Sequence, residues 1–336
     1  MKFRYLGNSG FKVSAISYGN WLTHGEQVEQ DIAFSCVKAA LEAGITTFDT
    51  ADAYAEGRAE EVLGKALKDQ RRESLEVFTK VYFPTGKGPN DTGLSRKHIH
   101  ESINASLKRL GMDYVDLYQA HRYDHFTPLE ETMEAFADVV RSGKALYIGV
   151  SEWTADQLRE GHRLARELHI PFVSNQPQYN MIWRVIEPEV VPTSCEIGVS
   201  QVVYSPLYEG VLTGKYLPGE APAEGTRAAT EGVNTFLTNK LQDQTLLERV
   251  QQLKPIADEL EITMAQLALA WILANDNVAS AIAGASKPEQ ITAAAAAADI
   301  ELPSDVLTRI DEVLGDSVNR DASATARSAP TERLVW

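Results

Sequence analysis

Gly44-Ile45-Thr46-Thr47-Phe48-Asp49-Thr50-Ala51-Asp52-Ala53-Tyr54 is the stretch that decides the fold. An amphipathic segment at 31–42 runs into Gly44, where a helix ends on a left-handed cap that glycine adopts without a steric cost. A short strand-like run follows at 46–50. Acidic and hydroxyl side chains then gather at its C-terminal end, and Tyr54 lies just beyond.

The same unit recurs along the chain. Short runs at 15–21, 46–50, 75–82, 115–121, 145–150, 172–175, 199–205 and 278–285 alternate with helical stretches. The helical stretches are 31–42, 59–68, 95–110, 129–141, 155–168, 246–260, 265–274 and 288–298. Gly111 and Gly143 close their helices as Gly44 does, and Ser95 is placed to cap the start of its own. Strands buried on both faces with helices between them imply parallel βαβ units. Eight such units fit a closed α/β (β/α)8 TIM barrel better than an open doubly wound sheet.

Residues 1–13 read as an N-terminal β-hairpin around the turn cluster Gly7-Asn8-Ser9-Gly10. Two segments break the rhythm: a long loop at 216–239, rich in Gly, Pro, Ala and Thr, and a polar C-terminal tail at 317–336. The tail ends on the apolar Leu334-Val335-Trp336. The whole of 1–336 reads as a single barrel domain.

Composition narrows the function. Among 336 residues, 32 Lys and Arg face 47 Asp and Glu, a formal charge of −15. A general nucleic-acid binder needs a basic face to neutralise phosphates, and anionic lipid needs the same, so no nucleic acid and no membrane are expected as partners. An anionic ligand must be held by a few placed cations. Two cysteines, Cys36 and Cys195, exclude a disulfide framework or a Cys-rich zinc site within the chain. The start, Met1-Lys2-Phe3-Arg4-Tyr5, lacks the apolar core of a signal peptide, and no apolar run reaches the roughly 18 residues of a membrane span. A reducing, cytoplasmic location is expected.

Some motifs mislead. Gly210-Val211-Leu212-Thr213-Gly214-Lys215-Tyr216 is a phosphate loop one residue too short, with Tyr where Ser or Thr reaches magnesium. It excludes an ATPase, yet its backbone amides and Lys215 suit a pyrophosphate, since barrels often bind phosphate after their last two strands. No G-x-G-x-x-G follows a strand, which argues against a Rossmann site. His98 and His100 diverge on a helix, and His121 and His125 straddle a strand end, so no metal is expected.

The stronger signal is at strand C-termini, the catalytic face of a barrel. Asp49 ends the second run, Lys80 the third and His121 the fourth, with Tyr54 close by. Alone, each has an ordinary structural explanation: a capping Asp, a salt-bridged Lys, a structural His, a packed Tyr. Together they form an acid with its tuning groups. A neighbouring Lys cation is expected to favour the phenolate and lower the Tyr54 pKa. Asp49 orients Lys80, and His121 is placed to hydrogen-bond a developing alkoxide. That suits carbonyl chemistry. A Schiff-base aldolase on Lys80 is the weaker reading, because Asp49 keeps the amine charged.

The chain resembles the aldo-keto reductase family over about residues 1–316. The likeness is carried by 44–54 with Gly57 and Glu60-Glu61-Val62-Leu63-Gly64. It continues in Thr79-Lys80, 106–118, 145–151, Asn175-Gln176, Tyr204-Ser205-Pro206-Leu207 and Gly284-Ala285-Ser286. Gly93-Leu94-Ser95-Arg96-Lys97-His98-Ile99 and Leu212-Thr213-Gly214-Lys215-Tyr216 are most similar to the branch of voltage-gated potassium-channel β-subunits and their bacterial relatives.

The resemblance implies a catalytic tetrad of Asp49, Tyr54, Lys80 and His121. The channel subunits tend to carry Asn at the last position, so His121 leans towards a reductase. It also implies NADPH or NADP+ held without a Rossmann fold. Asn20, Trp21, Gln27 and Asp49 would sit by the nicotinamide, Ser151 and Gln176 at its carboxamide, and Tyr204 on its ring. Ser205, Leu207, Gly210, Lys215 and Arg227 would line the pyrophosphate and adenosine path. Gly284, Ser286, Lys287 and Gln290 would follow at the 2′-phosphate and adenine. Glu152 departs from the Asn or Arg more usual after Ser151, and Ala293 and Ala294 replace the branch's Glu and Asn.

Trp21, Tyr54, Tyr82, Phe83, His121, Arg122, Trp153 and Tyr208 are expected to wall a pocket for a small carbonyl substrate. The branch often forms homo-oligomers. The function so implied is NADPH-dependent reduction of aldehydes or ketones to alcohols, with Tyr54 as proton donor. The alternative is an NADP(H)-binding, redox-sensing regulatory subunit that turns over slowly.

Overall fold

The computed structural model describes residues 1–21, 30–222, 228, 237–332 and 334. Its centre is a closed barrel of eight parallel strands, in the order β10-β3-β4-β5-β6-β7-β8-β9. The barrel strands are β3 (Ile16–Gly19), β4 (Thr47–Asp49), β5 (Glu76–Val81) and β6 (Val115–Ala120), then β7 (Ala145–Val150), β8 (Phe172–Asn175), β9 (Ser200–Val203) and β10 (Val278–Ala283). All eight fall inside the runs expected from sequence. Two further strands, β1 (Phe3–Tyr5) and β2 (Lys12–Ser14), pair antiparallel as the N-terminal hairpin.

The hairpin plugs the bottom of the barrel. Its buried Leu6 and Val13 pack on Phe78, Leu117, Val173 and Val202. Side chains alternate across a strand with period two. Phe78 and Lys80 therefore share the inward face of β5, Leu117 and Gln119 that of β6, and Val173 and Asn175 that of β8. The interior is apolar at the plugged end and polar at the C-terminal mouth. Gly7 makes the plug possible: its φ is 56°, and a Cβ there would meet the Val173 carbonyl oxygen at 2.6 Å.

The outer ring holds α1 (Gln30–Glu42), α2 (Arg58–Leu67), α3 (Arg96–Leu110), α4 (Leu129–Arg141), α5 (Ala155–Glu167) and α6 (Val190–Ile197). It continues with α7 (Thr238–Gln242), α8 (Gln244–Gln252), α9 (Lys254–Glu259), α10 (Met264–Leu273), α11 (Pro288–Ala296), α12 (Ser304–Leu314) and α13 (Ser323–Ala326). Gly44, Gly111 and Gly143 all take positive φ, and the Ser95 side chain accepts from the His98 amide at the start of α3. Two differences have a proline cause. The stretch 246–260, expected as one helix, is broken into α8 and α9 because Pro255 cannot donate to the preceding turn. Pro192 masks α6 in the sequence, yet it lies in the first turn, where no intrahelical donor is needed.

The described part of the tail is docked. Asn319 donates its amide to the Ile182 carbonyl at 2.7 Å and accepts from the Arg184 amide at 2.8 Å. Ala324 and Ala329 are buried, and Leu334 packs partly buried against the core. No helix among the described residues is long and apolar enough to cross a membrane.

Candidate active site

The barrel mouth gathers the polar ends of its strands. Asp49 closes β4, Lys80 is the penultimate residue of β5, and His121 follows β6. Tyr54 opens a short 3-10 turn after β4, in which Ala55 and Glu56 have φ of 49° and 57°. These left-handed residues fold the chain back, so the phenol turns over the mouth instead of continuing outward.

The side chains form one line. Lys80 Nζ donates to Asp49 Oδ2 at 2.6 Å, to the Thr50 carbonyl at 2.8 Å and to the Tyr54 hydroxyl at 3.1 Å. The Tyr54 hydroxyl lies 3.5 Å from His121 Nε2. Asp49 Oδ1 accepts from Gln176 Nε2 at 2.9 Å. Lys80 is wholly buried, so its charge is sustained by these oxygens and not by water.

Burial sets the acidities. It pushes the Tyr54 phenol above its ordinary 10.0, and the Lys80 cation only partly pulls it back. The sequence expectation of a lowered Tyr54 pKa is corrected accordingly: the phenol is held protonated. Burial opposes the charge on Lys80, but the Asp49 carboxylate and Tyr54 outweigh it and hold the ammonium above its usual range. A charged Lys80 is no amine nucleophile, which counts against aldolase chemistry. Burial first, then the Lys80 and Arg122 charges, push His121 well below its usual 6.5, so its imidazole is neutral.

Aromatic rings surround the line. The Trp21 ring centre lies 6.4 Å from Tyr54, and Phe83 meets His121 edge-on at 4.8 Å. Arg122 sits over Phe83 at 5.5 Å and donates to Ser151 Oγ at 3.2 Å. Tyr82 is buried behind Phe83, edge-on at 5.4 Å. Trp153 is a correction to the expected wall. It is fully buried, its ring against Tyr123 at 5.1 Å, and α5 passes so close that a Cβ on Gly161 would meet it at 2.7 Å. It packs beneath that helix and not at the mouth.

The residues expected at a cofactor fall into three groups. Asn20, Trp21, Asp49, Ser151, Gln176 and Tyr204 lie at or just beyond the ends of β3, β4, β7, β8 and β9. Ser205, Leu207, Gly210 and Lys215 belong to the loop after β9, and Gly284, Ser286, Lys287 and Gln290 to the entry of α11. There Gln290 Oε1 accepts from the Ser286 amide at 2.9 Å and from its hydroxyl at 3.2 Å. Gln27 and Arg227 lie outside the described residues.

Sequence reasoning missed the part played by Glu152. Its buried carboxylate accepts from the Gln178 amide at 2.7 Å and the Tyr204 hydroxyl at 2.8 Å through Oε1, and from Ser328 Oγ at 3.3 Å through Oε2. One residue thus ties the ends of β7, β8 and β9 to the tail. Its acidity stood out in the sequence, but its partners are remote along the chain. Glu209 and Lys240, which pair beside Ser205, carried no sequence signal at all.

Residues 15–315 match the sequence profile described as the aldo/keto reductase family. The chain is 45% identical over 323 residues to a putative voltage-gated potassium channel subunit beta of Schizosaccharomyces pombe, covering 93% of each chain. It is 44% identical over 330 residues to a probable voltage-gated potassium channel subunit beta of Oryza sativa subsp. japonica, covering 96% of this chain and 99% of the other. A probable voltage-gated potassium channel subunit beta of Arabidopsis thaliana is 43% identical with the same coverage. NAD(P)H-dependent oxidoreduction is the chemistry typical of the family. The closed barrel with its hairpin plug and these matches across most of the chain establish that this protein belongs to the aldo/keto reductase family.

Proposed function

We propose that the chain is an NADPH-dependent reductase of small aldehydes and ketones, with Tyr54 as the proton donor. The observation that carries this reading is the unbroken line Asp49, Lys80, Tyr54, His121 at the barrel mouth. The Tyr54 hydroxyl holds the proton. Lys80 stands ready to stabilise the phenolate left after transfer, and Asp49 fixes Lys80. A neutral His121 orients the substrate oxygen by hydrogen bonding, while Trp21 and Phe83 supply an apolar wall.

The surrounding residues suit the cofactor. Two buried polar atoms in this region, His121 Nδ1 and Gln119 Nε2, have no hydrogen-bond partner among the described residues. Gly210 has a φ of 95°, and a Cβ there would stand 3.2 Å from Lys215 Nζ, filling the space a phosphate oxygen needs. Ser151 and Gln176 would hold the carboxamide, Gln27 would sit by the nicotinamide, and Lys215, Arg227, Ser286 and Lys287 would hold the phosphates. A nicotinamide nucleotide bound there supplies the hydride. The same reading places the protein in the cytoplasm, with a small carbonyl compound as its substrate and a homo-oligomer as its assembly.

The test is steady-state oxidation of NADPH, with NADH in parallel, over a panel of small aldehydes, dicarbonyls and ketones. Multiple turnovers are expected, falling about 100-fold or more in Tyr54→Phe. Equal turnover in the variant would remove Tyr54 from the role of acid. The names of the relatives favour a second reading, a regulatory subunit that binds NADP(H) and turns over slowly. Tight NADPH binding with a single slow oxidation and no steady state would select it.

A further inference from the structure

The loop after β9 contains a charge arrangement that the family tetrad does not use. Within 205–210, Ser205, Tyr208, Glu209 and Gly210 all have positive φ, between 49° and 95°. The fold of this segment turns the Glu209 side chain back on its own loop. Ser205 Oγ donates to Glu209 Oε1 at 2.6 Å. Glu209 Oε2 pairs with Lys240 Nζ of α7, and that ammonium sits 3.7 Å from the centre of the Tyr208 ring. Both charged side chains are largely shielded, at 10% exposure for Glu209 and 17% for Lys240.

This places a carboxylate among Ser205, Leu207, Gly210 and Lys215, the positions read above as the pyrophosphate path. A carboxylate there competes with a phosphate for the same donors and repels it across a poorly solvated gap. Lys240 does the opposite: burial draws its amine down to about 7, so its cation is sustained by the paired Glu209 carboxylate and by whichever anion occupies the loop.

We propose that Glu209 and Lys240 together set how fast the nicotinamide nucleotide leaves: Glu209 competes with its phosphates for Ser205 and Lys240, and Lys240 retains them. This rests on the cofactor reading given above. It assigns roles to two residues outside the tetrad.

The test is stopped-flow release of NADPH from the full chain, read by nucleotide fluorescence after mixing with excess NADP+, with thermal melting as the check on folding. Glu209→Gln keeps the shape and the Ser205 contact but removes the charge, and release is expected to slow about tenfold. Lys240→Met leaves Glu209 unneutralised, and release is expected to quicken by a similar factor. Unchanged release in both variants, with NADPH still bound by the parent, would overturn the proposal. Failure of the parent to bind NADPH at all would instead overturn the cofactor reading itself.

Discussion

Lys80 Nζ stands 3.1 Å from the Tyr54 hydroxyl oxygen, and the Lys80 side chain is wholly enclosed. An ammonium in that position stabilises whatever negative charge develops on the phenol. It also leaves Asp49 dependent on it, since Asp49 Oδ2 is only 2.6 Å away on its other side. Lys80→Met should therefore act twice. Reduction should fall by about 100-fold or more, and the alkaline limb of its pH profile should move upward as Tyr54 loses the cation that lowers its pKa. The fold should lose about 3–5 kcal/mol, because a buried carboxylate is left unpaired. A pH-rate profile together with a denaturant titration checks both.

His121 is expected to stay neutral well into the acid range, because burial and two nearby cations oppose its charge. Its folded pKa is depressed below the unfolded 6.5, so the group contributes its full stability above that value. The contribution is lost as pH falls below 6.5 towards the folded pKa. NMR of the imidazole through pH 5–7 should show no protonation of His121 in the folded protein. A titration centred near 6.5 would remove the neutral hydrogen-bonding role.

Asp52 lies between Asp49 and Tyr54 in the chain, and its Oδ2 accepts from Ser102 Oγ at 2.6 Å. Its Oδ1 is buried with no partner among the described residues. Burial raises this carboxyl to about 7; the Ser102 bond and Arg109 draw it down, while Glu60 pushes it up. The unfolded chain releases the proton near 3.9, the folded chain near 7, so stability falls as pH rises between those values and is level above. Asp52→Asn should abolish that slope. It should gain stability over the parent at pH 8 and little at pH 4, read from unfolding midpoints across the range.

Glu152 binds three remote groups at once, and the tail is one of them. Glu152→Ala should cost about 1–3 kcal/mol for each buried donor left unsatisfied, chiefly the Gln178 amide and the Tyr204 hydroxyl. Hydrogen exchange should quicken in 323–329 and in the strand ends it joins, while exchange in β5 and β6 stays slow. Uniform loosening of the barrel would show that Glu152 is a general core residue and no tether.

Some of this was legible in the sequence because it is local. Helical periodicity, short strand runs and glycine stops are written in neighbouring residues, and they located all eight barrel strands. Proline was the main source of error, since its effect depends on its place within a helix: Pro255 breaks one and Pro192 opens another. The tetrad positions were readable because strand C-termini share one rim in a barrel.

The sequence by itself determined the barrel, its N-terminal hairpin and the side chains carried at the strand C-termini. Tertiary structure alone decided how those side chains act. It shielded the Tyr54 hydroxyl enough to raise its pKa where a neighbouring cation suggested the reverse, and it hid Trp153 under α5. It also joined Glu152 to Ser328 and Glu209 to Lys240 across 176 and 31 positions of chain. The reason is physical: desolvation and pairing depend on which groups meet in space, and the residues that enclose a buried charge are scattered along the sequence.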